Sequence, residues 1–190
     1  SRLFLYYLAR EVEGTIDSDS GAEIHDGIKV TCDQGLCVES LWPYDISKFT
    51  DKPDDKCYDD LKLHKSVKAE RVQQTLNDMK QCLLDGFPIV IGIQVYESFE
   101  SDEVAKTGIV PMPNTSTEKL LGGHCVLMFS TKLINGKLYG GILNSWGPDW
   151  GAGGKCFIPM EYLTNPDLAS DFWTIKLVDD EKDPNEIPAN

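Results

Sequence analysis

The chain has 190 residues and a formal charge of −13, with 41% hydrophobic and 26% charged residues. That charge argues against a nucleic-acid binder, whose affinity rests on clustered Lys and Arg, and disfavours attachment to an anionic membrane surface. No apolar run approaches the 18 or more residues of a membrane span, and the longest, Phe87 to Ile93, has the length and composition of a strand.

In chain order, residues 1 to 13 suit a helix, with Leu3, Leu5, Tyr6, Tyr7 and Leu8 forming an apolar stripe expected to face a partner surface. Ser18-Asp19-Ser20-Gly21 is a turn and N-cap cluster leading into a helix over 22–32, which Gly35 ends. Trp42-Pro43-Tyr44-Asp45 opens an extended loop, and residues 51 to 60 are expected to be polar surface connection. A first strand is expected near 66–72 and a helix over 74–85, its apolar side carrying Leu76, Met79, Cys82 and Leu83. Gly86 and Pro88 stop that helix. The apolar strand 89–95 follows, then an acidic loop and a polar, mobile loop at 113–119. Strands are expected at 123–130, 138–144, 155–158 and 172–178, with Asn135-Gly136 turning a hairpin. The acidic tail from Asp179 is expected to fray. Helices first and antiparallel strands second give an α+β chain.

Six cysteines (32, 37, 57, 82, 125 and 156) are too sparse for a disulfide scaffold. They offer no zinc spacing with His25, His64 or His124, so no metal and no cofactor is expected. The start at Ser1-Arg2-Leu3-Phe4 lacks a basic segment, a cleavage site and a Met, and reads as the inside of a longer product.

Chemistry concentrates in residues 121 to 151. A thiolate nucleophile needs an imidazole partner, and the imidazole needs a third group to fix its ring and tautomer. His124 follows Gly122 and Gly123, which leave room for a substrate backbone. Asn144 ends a strand that would pair with the His124 strand, and Trp146 beside it could cover the hydrogen bond from water. Taken singly, each element is more often a structural histidine or a plugged turn. Together they are specific.

Gly122-Gly123-His124-Cys125-Val126 and Asn144-Ser145-Trp146-Gly147 through Gly154 resemble the histidine and asparagine motifs of the papain-family cysteine peptidases. The likeness extends through Gly35-Leu36-Cys37, Trp42-Pro43-Tyr44, Phe157-Ile158-Pro159-Met160 and Phe172-Trp173-Thr174-Ile175. Leu-Trp-Pro-Tyr-Asp and the acidic loop after Tyr96 look nearest to the microbial and large-virus branch. The resemblance implies a two-lobed fold, a helical lobe followed by an antiparallel β-barrel-like lobe. It spans residues 1–178 as an N-terminally incomplete peptidase domain, with 179–190 as the tail. It implies that His124 is the general base and acid, Asn144 its orienter and Trp146 the shield, with Gly21 and Gly123 as backbone docking points for substrate.

Two departures accompany the likeness. Asp17-Ser18-Asp19-Ser20 has no cysteine where members from oxidising compartments usually carry one, which favours the cytoplasm or a virion over secretion. The family's first helix, with the nucleophilic Cys and its preceding Gln, matches nothing here. None of the six cysteines suits the role: Cys125, next to His124 on a strand, must face the other way. The expected function is therefore endopeptidase action on peptide or protein substrates, through a thiolate on an upstream segment of the same gene product. The alternatives are a catalytically inactive binding or structural module, and a transferase using the same acyl-enzyme. In the family the missing helix packs between the lobes, so this chain alone is expected to be insoluble, oligomeric or held to an upstream peptide.

Overall fold

The computed structural model describes residues 1–180. The chain divides into two units, residues 1–69 with 176–180, and residues 70–175.

The first unit is mainly helical: α1 (Arg2–Glu13), α2 (Ile24–Asp33) and α3 (Asp55–Asp60). Ser1 Oγ accepts from Phe4 N to cap α1, and Gly14, left-handed at φ 71°, ends it. The apolar stripe of α1 faces its own unit, since Phe4, Tyr7 and Leu8 join Val30, Cys37, Cys57 and Leu61 in one buried cluster. Helix α2 is capped by Glu23 without a side-chain bond, so the Ser18–Gly21 cluster is a turn and not the cap. Helix α3 falls within the expected surface connection. A single fully buried residue, Cys57, anchors this short helix with Tyr58 packed partly beside it, and two adjacent apolar positions in six leave no visible period.

Arg10 is wholly buried. Its guanidinium lies over the Tyr6 ring at 4.1 Å and the Phe49 ring at 5.1 Å. It donates to the carbonyls of Ile16 (2.6 Å), Ser18 (3.3 Å) and Phe49, tying three loop carbonyls to α1. The aromatic faces and carbonyl oxygens replace part of the hydration that burial removes, while Nε has no hydrogen-bond partner among the described residues.

The strands β1 (His64–Arg71), β2 (Ile89–Tyr96), β3 (Leu120–Ile134), β4 (Lys137–Leu143), β5 (Lys155–Pro159) and β6 (Ala169–Asp180) follow the order β1-β6-β2-β3-β4-β5. Strand β6 includes the first two residues of the expected tail, and the rest of the tail lies outside the described residues. The pairings of β2 with β3 and β6, of β3 with β4, and of β4 with β5 are antiparallel. Strand β2 alternates buried and half-buried residues along its whole length. Ile89, Ile91, Ile93 and Val95 thereby meet Val126, Met128, Ile142 and Ile158 in the core of the second unit. The β3–β4 turn is Asn135-Gly136, with φ 48° and 78°, positive at both positions as a two-residue hairpin requires.

Three short helices complete this unit: α4 (Leu76–Leu84), α5 (Asp102–Thr107) and α6 (Met160–Leu163). Thr75 caps α4 by accepting from Asp78 N. Of the expected apolar side of α4, Met79 is fully buried and Cys82 and Leu83 pack partly on the core, while Leu76 is exposed in the first turn. Helix α5 was hidden in the acidic loop. Ser101 caps it, and Val104 is its buried residue.

The loop at 113–119 is tied down. The Glu118 carboxylate accepts from Asn114 N at 2.7 Å and Ser98 N at 3.0 Å, while Glu97 accepts from Lys119 N at 3.0 Å. Hydrogen bonds to its charged form, first from the Ser98 side chain and then from the Asn114 and Ser98 backbone, hold the Glu118 carboxyl below its ordinary pKa of 4.5.

Candidate active site

His124 lies opposite Ile93 in the β2–β3 register. It shares the face of β3 that carries buried Val126 and Met128, at the end where the apolar core gives way to polar groups. Leu127 pairs with Leu143, the last residue of β4. Continuing that register one place sets Asn144 level with Val126, on the histidine's face. The separation of twenty residues thus closes to a contact. His124 Nε2 and Asn144 Oδ1 are 2.8 Å apart.

The tautomer follows from a second bond. Ser145 N–H donates to the same Asn144 oxygen at 2.8 Å, so that atom is an acceptor. Nε2 must therefore carry the proton and donate it, which leaves the lone pair on Nδ1. Nδ1 makes no hydrogen bond to any described residue.

Aromatic rings frame the pair. The Trp146 indole stacks on the imidazole with centroids 5.1 Å apart and an interplanar angle of 28°. Trp150 meets Trp146 edge-on at 4.9 Å, and buried Phe99 meets it edge-on at 5.5 Å. Phe99 also stacks on Trp150 at 5.8 Å. Asn144 is 9% exposed beneath this group, and its Nδ2 has no hydrogen-bond partner among the described residues. Phe99 and Trp150 are the site residues that sequence reasoning missed. Trp150 stood in the motif, and its Trp-x3-Trp spacing from Trp146 was the available signal. Phe99, in the acidic loop, gave none.

The turn that carries Asn144 is held by backbone bonds, from Asn144 N to Gly154 O at 3.0 Å and from Gly154 N to Trp150 O at 2.8 Å. Gly151 is required there. Its φ is 61°, and a Cβ would stand 2.5 Å from Lys155 O.

A Cβ built on Gly123 would meet no heavy atom within 4 Å, so the space before His124 is open. Gly21, in the first unit, is exposed, with φ 77°. Its N–H donates to Tyr6 Oη at 3.1 Å, and Tyr6 in turn donates to Asp19 Oδ1 at 2.6 Å. The Gly21 carbonyl accepts from Ser20 Oγ at 3.4 Å.

The cysteines do not join this pair. Cys125 is exposed on the opposite face of β3 from its neighbour His124. Burial pushes the Cys156 thiol up to about 12, the reverse of what a nucleophile needs. Cys37 is pushed up to about 12 as well, first by burial and then by a hydrogen bond with Cys57. Among the described residues no group of three or more His, Cys, Asp or Glu could hold a metal. No helix among them is long and apolar enough to cross a membrane.

Residues 15–170 match the papain family cysteine protease family. The chain belongs to the papain family of cysteine proteases. It is 44% identical to an uncharacterised peptidase C1-like protein of Acanthamoeba polyphaga mimivirus, over 98% of this chain and 63% of that protein. The crystal structure of xylellain, a cysteine protease from Xylella fastidiosa, superposes with a TM-score of 0.84 at 38% identity. That match covers 93% of this chain and 69% of xylellain. Procathepsin B S9 from Trypanosoma congolense shares the fold at a TM-score of 0.65 and 20% identity, over 84% of this chain and 53% of its own. This chain thus spans less than two thirds of the mimivirus relative and about half of the cathepsin precursor. Relatives from a giant virus and a bacterium agree with the branch read from the Leu-Trp-Pro-Tyr-Asp segment.

Proposed function

We propose that this chain is the larger part of a papain-like cysteine endopeptidase and that its nucleophilic thiol comes from an upstream segment of the same gene product. The supporting observation is the His124 Nε2 to Asn144 Oδ1 bond, which leaves the Nδ1 lone pair free on a ring stacked against the Trp146 indole. Such a nitrogen takes the thiol proton and forms a thiolate–imidazolium pair. The thiolate attacks the peptide carbonyl, and the imidazolium gives its Nδ1 proton to the leaving amine. Water, deprotonated by the same nitrogen, then hydrolyses the thioester. Asn144 acts throughout as orienter and Trp146 as shield. Gly123 supplies open space for the substrate backbone, and the family resemblance gives the Gly21 carbonyl a docking role of its own.

The raised thiols of Cys37 and Cys156 support an external nucleophile. A reducing setting, the cytoplasm or a virion, belongs to the same proposal and rests on the cysteine-free stretch before Gly21.

The test is covalent labelling of the longer gene product with an epoxysuccinyl peptide, followed by peptide mapping. One cysteine upstream of Ser1 should be alkylated, and His124→Ala should abolish the reaction. Absence of both labelling and peptide hydrolysis would instead assign the chain to the inactive binding or structural class. Transfer of the acyl group to an amine, seen in product masses, would mark a transferase.

A further inference from the structure

Cys37 and Cys57 play no part in the site above, yet the fold brings them together inside the first unit. Both are free thiols, 2% and 0% exposed, in the same apolar cluster. The backbone on each side of Cys37 is fastened to the segment that follows Cys57. Leu36 N donates to His64 O at 3.0 Å, and Val38 N donates to Asp60 Oδ2 at 2.9 Å. Gly35, with φ 99°, lies so near that a Cβ on it would be 2.1 Å from Leu61 O. Leu61 N in turn bonds Cys57 O, one helical turn back. The two side chains lie in the one buried cluster that this seam closes.

We propose that Cys37 and Cys57 are a modification site, a dithiol that a low-molecular-weight disulfide such as oxidised glutathione converts to an intramolecular disulfide. One thiolate attacks the reagent's S–S bond and releases a first small thiol. The second thiolate then displaces the other small thiol from the mixed disulfide. Two protein S–H bonds are lost, one protein S–S bond forms, and the reagent is reduced to two thiols. The product closes the loop 38–56, which carries Trp42, Pro43, Tyr44 and the Phe49 carbonyl bound by Arg10. Closing that loop removes conformational freedom from the denatured ensemble and so stabilises the folded chain. Both sulfurs are shielded from solvent, so in the folded chain exchange passes through local opening and is slow. Oxidation is faster while the chain folds. Apolar packing holds the pair together in either redox state, so the same fold serves reducing and oxidising surroundings.

The experiment incubates the purified chain at graded ratios of oxidised to reduced glutathione, both folded and during refolding. Remaining thiols are then blocked with N-ethylmaleimide, and peptides are mapped without reduction. The expected result is loss of two of the six thiols, with the peptides containing positions 37 and 57 linked. The linked form should melt about 5 °C or more above the reduced form. Cys37→Ser and Cys57→Ser should each abolish the link and the melting difference, and Cys32→Ser should change neither. Full alkylation at both positions after refolding under oxidising conditions overturns the proposal. So does glutathione left on either sulfur, or pairing of either with another cysteine.

Discussion

Asn144 accepts two hydrogen bonds on one oxygen, from the imidazole and from its own neighbour's backbone, and this fixes which ring nitrogen is left to work. Removing the carboxamide frees the ring to turn and to change tautomer without removing the base. Asn144→Ala should therefore lower kcat of the longer gene product by about 10²-fold, the cost of misplacing a catalytic group by an ångström. His124→Ala, by contrast, should remove reaction with the epoxide altogether. Comparing kcat with thiol-labelling rate checks the difference. Arg10 poses the same kind of question for stability. Arg10→Ala would leave the carbonyls of Ile16, Ser18 and Phe49 without their donor, at about 1–3 kcal/mol each where water cannot enter. The expected loss is about 3 kcal/mol or more, measured by urea unfolding. His124 and Asn144 were legible because glycines and a strand-ending motif mark them. A buried arginine was not, since its partners are carbonyls and rings that any sequence supplies.

Element boundaries show where periodicity carries information and where it fails. Strand β2 reads directly from its composition, and the β3–β4 hairpin from Asn135-Gly136. Helices α3 and α5 escaped because each buries one apolar residue, Cys57 or Val104, within acidic surroundings. The loop at 113–119 looked mobile for the same reason: its order comes from the Glu118 carboxylate and has no apolar signature. That order depends on charge. The folded carboxyl titrates below its ordinary 4.5, so the unfolded chain takes up the proton first as pH falls. Its stabilising contribution is complete above that value and disappears as pH drops through the lower, folded pKa. Glu118→Gln should speed amide exchange at Ser98 and Asn114 near neutral pH, and the difference from the parent should close in acid. Equal exchange at neutral pH would remove the carboxylate from this role.

At the scale of the molecule, charge and apolar exposure act against each other. The formal charge is −13, and acidic copies repel one another at low salt. Against this, Leu84 at 78% and Leu133 at 67% are the most exposed large apolar side chains of the second unit, with Phe129 and Leu143 also exposed. Under the proposal of an upstream segment, association of the chain or capture of a peptide from that segment would cover such side chains. If apolar contact drives association, added salt should strengthen it, because screening shortens the reach of repulsion from about 30 Å at 0.01 M to about 10 Å at 0.1 M. Sedimentation of the 190-residue chain should then show a weight-average mass that rises with salt, and a peptide of the upstream segment should reverse the rise. A chain that stays monomeric at every salt concentration would mean that its apolar surface is already covered from within.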